Sequence, residues 1–218
     1  MNLSNQIRGC IYGGALGDAY GSAVEGQASA EHFTFESVDS PRITDDTQLT
    51  LATCEALSGN TGSIPDQIAA SFADWYQHGK VTGMGSSTLK ALRDLSMGAE
   101  WMISGARGEM SAGNGAAMRI APLAFLKTHP DDFRFLIRDV SSITHKNDEA
   151  YVGALAVVII IQDIRKGVGI KESLKALPDE LPDTRVRDQI CKANRLTDHS
   201  IEDAAQILGR LHPSLNDH

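Results

Sequence analysis

Cysteine is sparse in this chain. The 218 residues hold three, Cys10, Cys54 and Cys191, far apart and without a Cys-x-x-Cys pair. Each falls in a helical pattern, so buried free thiols in a reducing compartment are expected. The N-terminus lacks a basic region followed by an apolar core, which argues against a signal peptide. The longest apolar run, Val152 to Ile161, is too short to span a bilayer. These absences make the cytoplasm the expected location and a membrane partner unexpected. Basic residues are also in deficit, 20 against 28 acidic, for a net charge of −8. That balance disfavours broad binding to nucleic acid but leaves room for a local phosphate pocket. There is no alternating strand pattern, internal repeat or low-complexity tract. With 42% hydrophobic and 22% charged residues, the composition is that of a soluble globular protein. The fold class expected is all-α, a compact multi-helix globule forming a single domain over residues 1–218.

The most informative stretch is Ile43-Thr44-Asp45-Asp46-Thr47, ahead of apolar residues Leu49, Ala52, Ala56 and Leu57 at helical spacing. Thr44 or Asp45 can cap that helix, and first-turn acids suit the positive end of its dipole. The same residues offer three hard oxygen ligands for Mg²⁺, Mn²⁺ or Ca²⁺. Taken alone, the stretch reads as a cap first and a metal site second.

Upstream, residues 3 to 24 read as one helix with Gly9, Gly13, Gly17 and Gly21 on one face. An interior glycine costs a helix roughly 1 kcal/mol relative to alanine, so four of them imply close approach by a neighbouring backbone. Ile7, Cys10, Ile11 and Leu16 cover the other side, which places this helix at the centre of the core. Asp18 is then a buried acceptor tied to backbone amides. Glu25 stands at a rim, where a functional carboxylate is a live reading.

Downstream, helices are expected after Ser63-Ile64-Pro65-Asp66 and after the glycine-rich loop Gly83-Met84-Gly85-Ser86-Ser87-Thr88. Gly113-Asn114-Gly115, leading through Met118-Arg119 to Pro122, is a glycine-rich turn at a helix start. It can present amides to an anion or be a plain turn and cap. Further helices are expected over 130–144, 148–166, 170–177, 183–195 and 200–211. The 148–166 helix contains a β-branched run, Val157 to Ile161, that by itself suggests a strand. His145 lies at the break before that helix, and alone it reads as a surface turn histidine.

Four motifs in order resemble the ADP-ribosylglycohydrolase family, which includes dinitrogenase reductase-activating glycohydrolase. They are Gly13-Gly14-Ala15-Leu16-Gly17-Asp18-Ala19-Tyr20-Gly21 with Glu25, then Thr44-Asp45-Asp46-Thr47, then Gly113-Asn114-Gly115 with Met118-Arg119 and Pro122, then Thr144-His145. The resemblance implies an all-α fold whose cleft holds one or two divalent ions, Mg²⁺ or Mn²⁺. Thr44, Asp45 and Asp46 match its metal ligands, Glu25 is a candidate catalytic carboxylate, and Gly113, Asn114, Gly115, Met118 and His145 match its substrate-binding residues. The implied activity is hydrolysis of the N- or O-glycosidic bond joining ADP-ribose to a protein side chain or a small molecule. The implied partner is ADP-ribose or an ADP-ribosylated protein.

One departure stands out. The family pattern ends with a second metal motif, Asp-x-Asp-Thr in a glycine-rich setting, and this sequence has none. Asp179-Glu180 and Glu202-Asp203 lack the following threonine, and Asp183-Thr184 and Thr197-Asp198 are poor substitutes. The implied fold is therefore C-terminally shortened and half of its metal shell is missing. Three readings follow: a hydrolase; a relative that binds ADP-ribose or ADP-ribosylated protein without cleaving it; or a chain with exposed core, competent only within a homo-oligomer.

Overall fold

The computed structural model describes residues 2–25, 38–59, 62–196 and 199–209. Residues 26–37, Asn60-Thr61, Thr197-Asp198 and the chain beyond 209 lie outside the described residues.

Helices dominate: α1 (Leu3–Gly21), α2 (Asp45–Leu57), α3 (Ile64–Gln77), α4 (Ser86–Ser96), α5 (Trp101–Ser104), α6 (Pro130–Ser142), α7 (Asp148–Lys166), α8 (Ile170–Glu180), α9 (Arg185–Ala193) and α10 (Ile201–Gly209). The all-α architecture is as the sequence predicts. Local chemistry explains the boundaries. Thr44, Ser63, Asn147 and Thr184 each accept a backbone N–H at the start of the helix they precede. Gly167, at φ +91°, ends α7 in the left-handed conformation that glycine adopts without steric penalty. The β-branched run of α7 stays helical within a helix whose first ten or so residues are largely buried. Among the described residues, no helix is long and apolar enough to cross a membrane.

The core lies between α2, α3, α4, α6 and α7. Leu49, Ile68, Phe72, Leu92, Ile137, Val140, Ile143 and Val158 are fully buried in it. Ile120 and Leu123 join it from the segment 117–125, which forms two 3₁₀ turns (Ala117–Arg119 and Ala121–Phe125) in place of the helix expected to start after Gly115. Each such side chain contributes roughly 1.5–3 kcal/mol through its burial.

Two features depart from the sequence reading. The first is a short parallel pair, β1 (Ala106–Arg107) with β2 (His145–Lys146), in which Ala106 N–H donates to the carbonyl of Thr144 at 3.0 Å. Two-residue strands are too short for an alternating pattern to show. They hold His145 against α4 and the 109–115 loop. The second is α1, which is not central. Ala19 is its one buried residue, while Tyr12 is 67% and Leu16 61% exposed. A Cβ added at Gly9, Gly13, Gly17 or Gly21 would meet nothing within 4 Å. Among the described residues, no backbone packs on the glycine stripe. Gly17 and Gly21, with Gly14, instead border an open cleft. The small residues that promised tight packing leave α1 little apolar area with which to earn a central place.

Opposite outcomes are expected at two glycines. Gly13→Ala should raise stability by about 1 kcal/mol, because an exposed helix interior gains propensity without a clash. Gly105→Ala should lower it by roughly 1–3 kcal/mol, since the new Cβ would overlap the Ser142 carbonyl oxygen. Thermal and urea melts read both; a loss of stability in Gly13→Ala would contradict the exposed placement of α1.

Candidate functional site

Asp18, in the last turn of α1, organises one wall of the cleft. Its carboxylate accepts from the backbone N–H of Thr44 (2.8 Å) and Thr47 (3.2 Å) and from the hydroxyls of Thr44 (2.7 Å) and Thr47 (2.5 Å). The expected tie to backbone amides is there, strengthened by two hydroxyls. Partial burial pushes the Asp18 carboxyl up, but the bonds from Thr47 and Thr44 outweigh it and hold it below its ordinary value. The carboxylate thus joins α1 to the start of α2.

With Thr44 fixed, the choice between cap and ligand is divided by residue. Thr44 is the N-cap, its Oγ1 accepting from Asp46 N–H at 3.3 Å. Asp45 and Asp46 follow in the first turn, where the Asp45 carboxylate accepts from its own backbone N–H. Asp45 is only 8% exposed. Its carboxyl is pushed up to about 6, by burial first and then by the charges of Asp46, Asp18 and Glu25. Asp46 is raised by burial and by Asp18 and Glu25. Glu25, in the turn after α1, is exposed and borders the same cleft.

The facing wall is built from the 113–119 loop and β2. Met118 N–H returns to the Asn114 carbonyl at 3.0 Å, and Thr50 of α2 donates to the Met118 carbonyl at 3.2 Å. Because a three-residue 3₁₀ turn follows Gly115, no full helix dipole backs this loop, and any anion there would rely on individual amides. His145 is not the surface turn residue its position suggested. It is 4% exposed, with Nδ1 2.8 Å from the Thr144 hydroxyl. Burial, then the charge of Arg119, pushes it down to about 4, so it is neutral at pH 7. Gly115 is obligatory there: a Cβ would overlap His145 Cε1 and sit 3.0 Å from Thr88 Oγ1.

Between the walls runs a cleft of about 900 Å³. The structure brings all nine residues singled out from the sequence to its lining: Glu25, Thr44, Asp45 and Asp46 from the end of α1 and the start of α2, and Gly113, Asn114, Gly115, Met118 and His145 from the 113–119 loop and β2. The lining also includes Gly83, Gly85, Ser86, Ser87 and Thr88, which sequence reasoning had treated as a connecting loop. Gly85 precedes α4 without a side-chain cap, so the first amides of α4 remain available at the cleft edge. The glycine-rich run before a helix was the signal.

Thr44, Asp45 and Asp46 suit a hard divalent cation in donor type and in the repulsion that a cation would relieve. They do not complete a shell. Among the described residues, no group of three or more His, Cys, Asp or Glu converges to hold an ion. Later acids are engaged elsewhere, Glu180 with Arg134 at 2.9 Å and Asp183 with Arg187 at 3.2 Å.

Asp45 yields a prediction with a definite sign. Its folded pKa lies above the unfolded value, so its ionisation lowers stability at pH 7 and that penalty fades as pH falls through about 6 toward 4. Asp45→Asn should therefore stabilise the metal-free protein at pH 7 by ~1 kcal/mol, after allowance for solvent screening, and by less at pH 5. The same change should weaken divalent-ion binding. Melts in EDTA at both pH values, beside calorimetric titration of Mg²⁺ and Mn²⁺, provide the check. A destabilised variant with unaltered ion binding would return Asp45 to a capping role.

Comparison with known proteins identifies the relatives of this chain. A family model for ADP-ribosylglycohydrolase matches residues 1–216. Protein YegU of Escherichia coli is 30% identical, with 94% of this chain aligned to 65% of that protein. ADP-ribosyl-[dinitrogen reductase] glycohydrolase of Rhodospirillum rubrum is 27% identical, with 78% of this chain aligned to 61% of that enzyme. A solved structure titled ADP-ribosylglycohydrolase-related protein complex superposes with a TM-score of 0.62 at 26% identity, covering 89% of this chain and 66% of the other. The chain thus spans about two thirds of the length of these relatives. With a match running over nearly its whole sequence and the same fold in a solved relative, the chain belongs to the ADP-ribosylglycohydrolase family.

Proposed function

We propose that the cleft binds an ADP-ribosyl group and that the chain hydrolyses its glycosidic bond to a protein side chain or small molecule with divalent-metal assistance. The observation that carries this reading is that one cleft is lined by two chemically different sets of groups. Glu25, Asp45 and Asp46 bring carboxylates to it, and the 113–115 loop and His145 bring neutral donors. Its volume suits a ligand of nucleotide-sugar size. A negatively charged pyrophosphate is disfavoured beside the carboxylates and fits the side with amides and imidazole. That orientation brings the ribose and the scissile bond to the acidic wall.

Hydrolysis at the anomeric carbon joins water oxygen to that carbon and releases the protonated leaving group. Positive charge develops on the ribose as the bond breaks, so carboxylates nearby stabilise the transition state. Glu25, exposed at the rim, is the group we assign to accept the proton from the attacking water. Thr44, Asp45 and Asp46 would hold Mg²⁺ or Mn²⁺, which when bound supplies Lewis-acid polarisation and orients the ribose diol. Two carboxylates and one hydroxyl offset a single divalent charge, so we infer one tightly held ion per chain.

A second reading is favoured by the incomplete ligand set: a relative that binds ADP-ribose and cleaves it slowly or not at all. ADP-ribosylated protein incubated with Mg²⁺ or Mn²⁺, against an EDTA control, separates the two. Glu25→Gln should lower turnover by ~10²-fold or more while leaving ADP-ribose affinity within about threefold. Retained binding without release of ADP-ribose in the parent protein would overturn the hydrolase and leave the binding protein.

A further inference from the structure

Behind the cleft, Arg119 is fully buried and no described residue forms an ion pair with it. Its Nη2 donates to the Val140 carbonyl (3.2 Å) and to the Thr144 hydroxyl (2.7 Å), its guanidinium lies 4.8 Å from the centre of the Phe72 ring, and Nε and Nη1 have no partner. A buried cation so poorly compensated is costly to a fold, which invites a role beyond packing.

The hydrogen-bond inventory supplies one. Thr144 Oγ1 is completely buried and has two neighbours, Arg119 Nη2 and His145 Nδ1. Guanidinium can only donate, so it occupies a lone pair of that oxygen. The single Thr144 proton then needs an acceptor, and Nδ1 is the one within reach. If Nδ1 carried the proton instead, the hydroxyl would be left buried with nothing to donate to, a penalty worth at least about tenfold in the tautomer ratio. The opposite ring nitrogen, Nε2, has no bond from a described residue and lies on the side of Gly113 and Gly115, in the cleft lining.

We propose that Arg119, acting through Thr144, is a positioning residue that fixes His145 as a neutral imidazole protonated on Nε2, a standing hydrogen-bond donor to an oxygen of the cleft ligand. The tautomer follows from the ligand-free geometry. That the acceptor is a phosphate or ribose oxygen of ADP-ribose rests on the functional reading above. This arrangement makes His145 a binding group and leaves proton transfer to others, because its acceptor nitrogen faces inward.

Nitrogen-15 NMR of histidine-labelled protein tests it directly. The chain has seven histidines, and a His145→Asn spectrum identifies which signals belong to His145. The proposal expects Nδ1 to resonate as a bare nitrogen and Nε2 as a protonated one, in the parent protein and in Thr144→Ser. In Thr144→Val the Nδ1–H fraction should grow several-fold and ADP-ribose should bind several-fold more weakly. If Thr144→Val does not fold, Arg119→Met serves, since it removes the donor that turns the Thr144 proton toward Nδ1 and releases the Val140 carbonyl as another acceptor, and should raise the Nδ1–H fraction likewise. A parent protein protonated mainly on Nδ1, or a tautomer ratio unmoved by either variant, overturns the proposal. A parent protein with the expected tautomer and no affinity for ADP-ribose overturns the choice of ligand instead.

Discussion

The hydrogen bonds that Thr44 and Thr47 give to Asp18 are the constraint on which the rest of the cleft depends. α1 is at most half-buried along most of its length, with Ala19 its one buried residue. Hydrophobic packing therefore does little to hold its C-terminal turn against α2. The carboxylate does it instead, using two amides left open at a helix start and two hydroxyls. Because the charged form is the one stabilised, the joint is strongest where Asp18 is ionised, and it is lost only as pH falls through its lowered pKa. Thr44 then caps α2, and Asp45 and Asp46 are turned into the cleft.

The two walls follow opposite electrostatic rules. On the acidic side, burial and then neighbouring carboxylates raise the pKa values of Asp45 and Asp46, which await a positive partner, whether a cation or the charge that develops on a breaking glycosidic bond. Next to the loop, burial keeps His145 neutral, and Arg119, the charge that bears on it, is buried and does not join the cleft lining. Among the described lining residues, a ligand there meets donors and no Lys or Arg. That favours orientation over tight nonspecific attraction of anions, in keeping with a chain of net charge −8.

Much of this was legible in the sequence because caps and helical spacing are local. Thr44, Ser63 and Asn147 mark helix starts within a few residues, and Gly167 marks an end. Asp18 was read as an acceptor for amides from its lone position in a dry helix, although its partners Thr44 and Thr47 could not be named. The failures share a cause: each depends on what lies opposite a residue. Gly9, Gly13, Gly17 and Gly21 form a stripe whether another helix or open space faces them. His145 looked like a turn residue because the β1–β2 pair that buries it is two residues long. The edge of α4 at Gly85 to Thr88 carried a signal that was read as a connector, since glycine and serine serve both purposes.

If the acidic wall and the donor wall serve one ligand, metal and ADP-ribose must influence each other's affinity. Thermodynamic linkage requires the effect to be reciprocal. The most direct measurement is calorimetric titration of ADP-ribose with and without saturating Mg²⁺ or Mn²⁺, and of the ion with and without ADP-ribose. The account predicts that each tightens the other by the same factor, roughly 5-fold or more. Binding of both with no mutual effect would contradict it, and would mean that the two walls do not form one site.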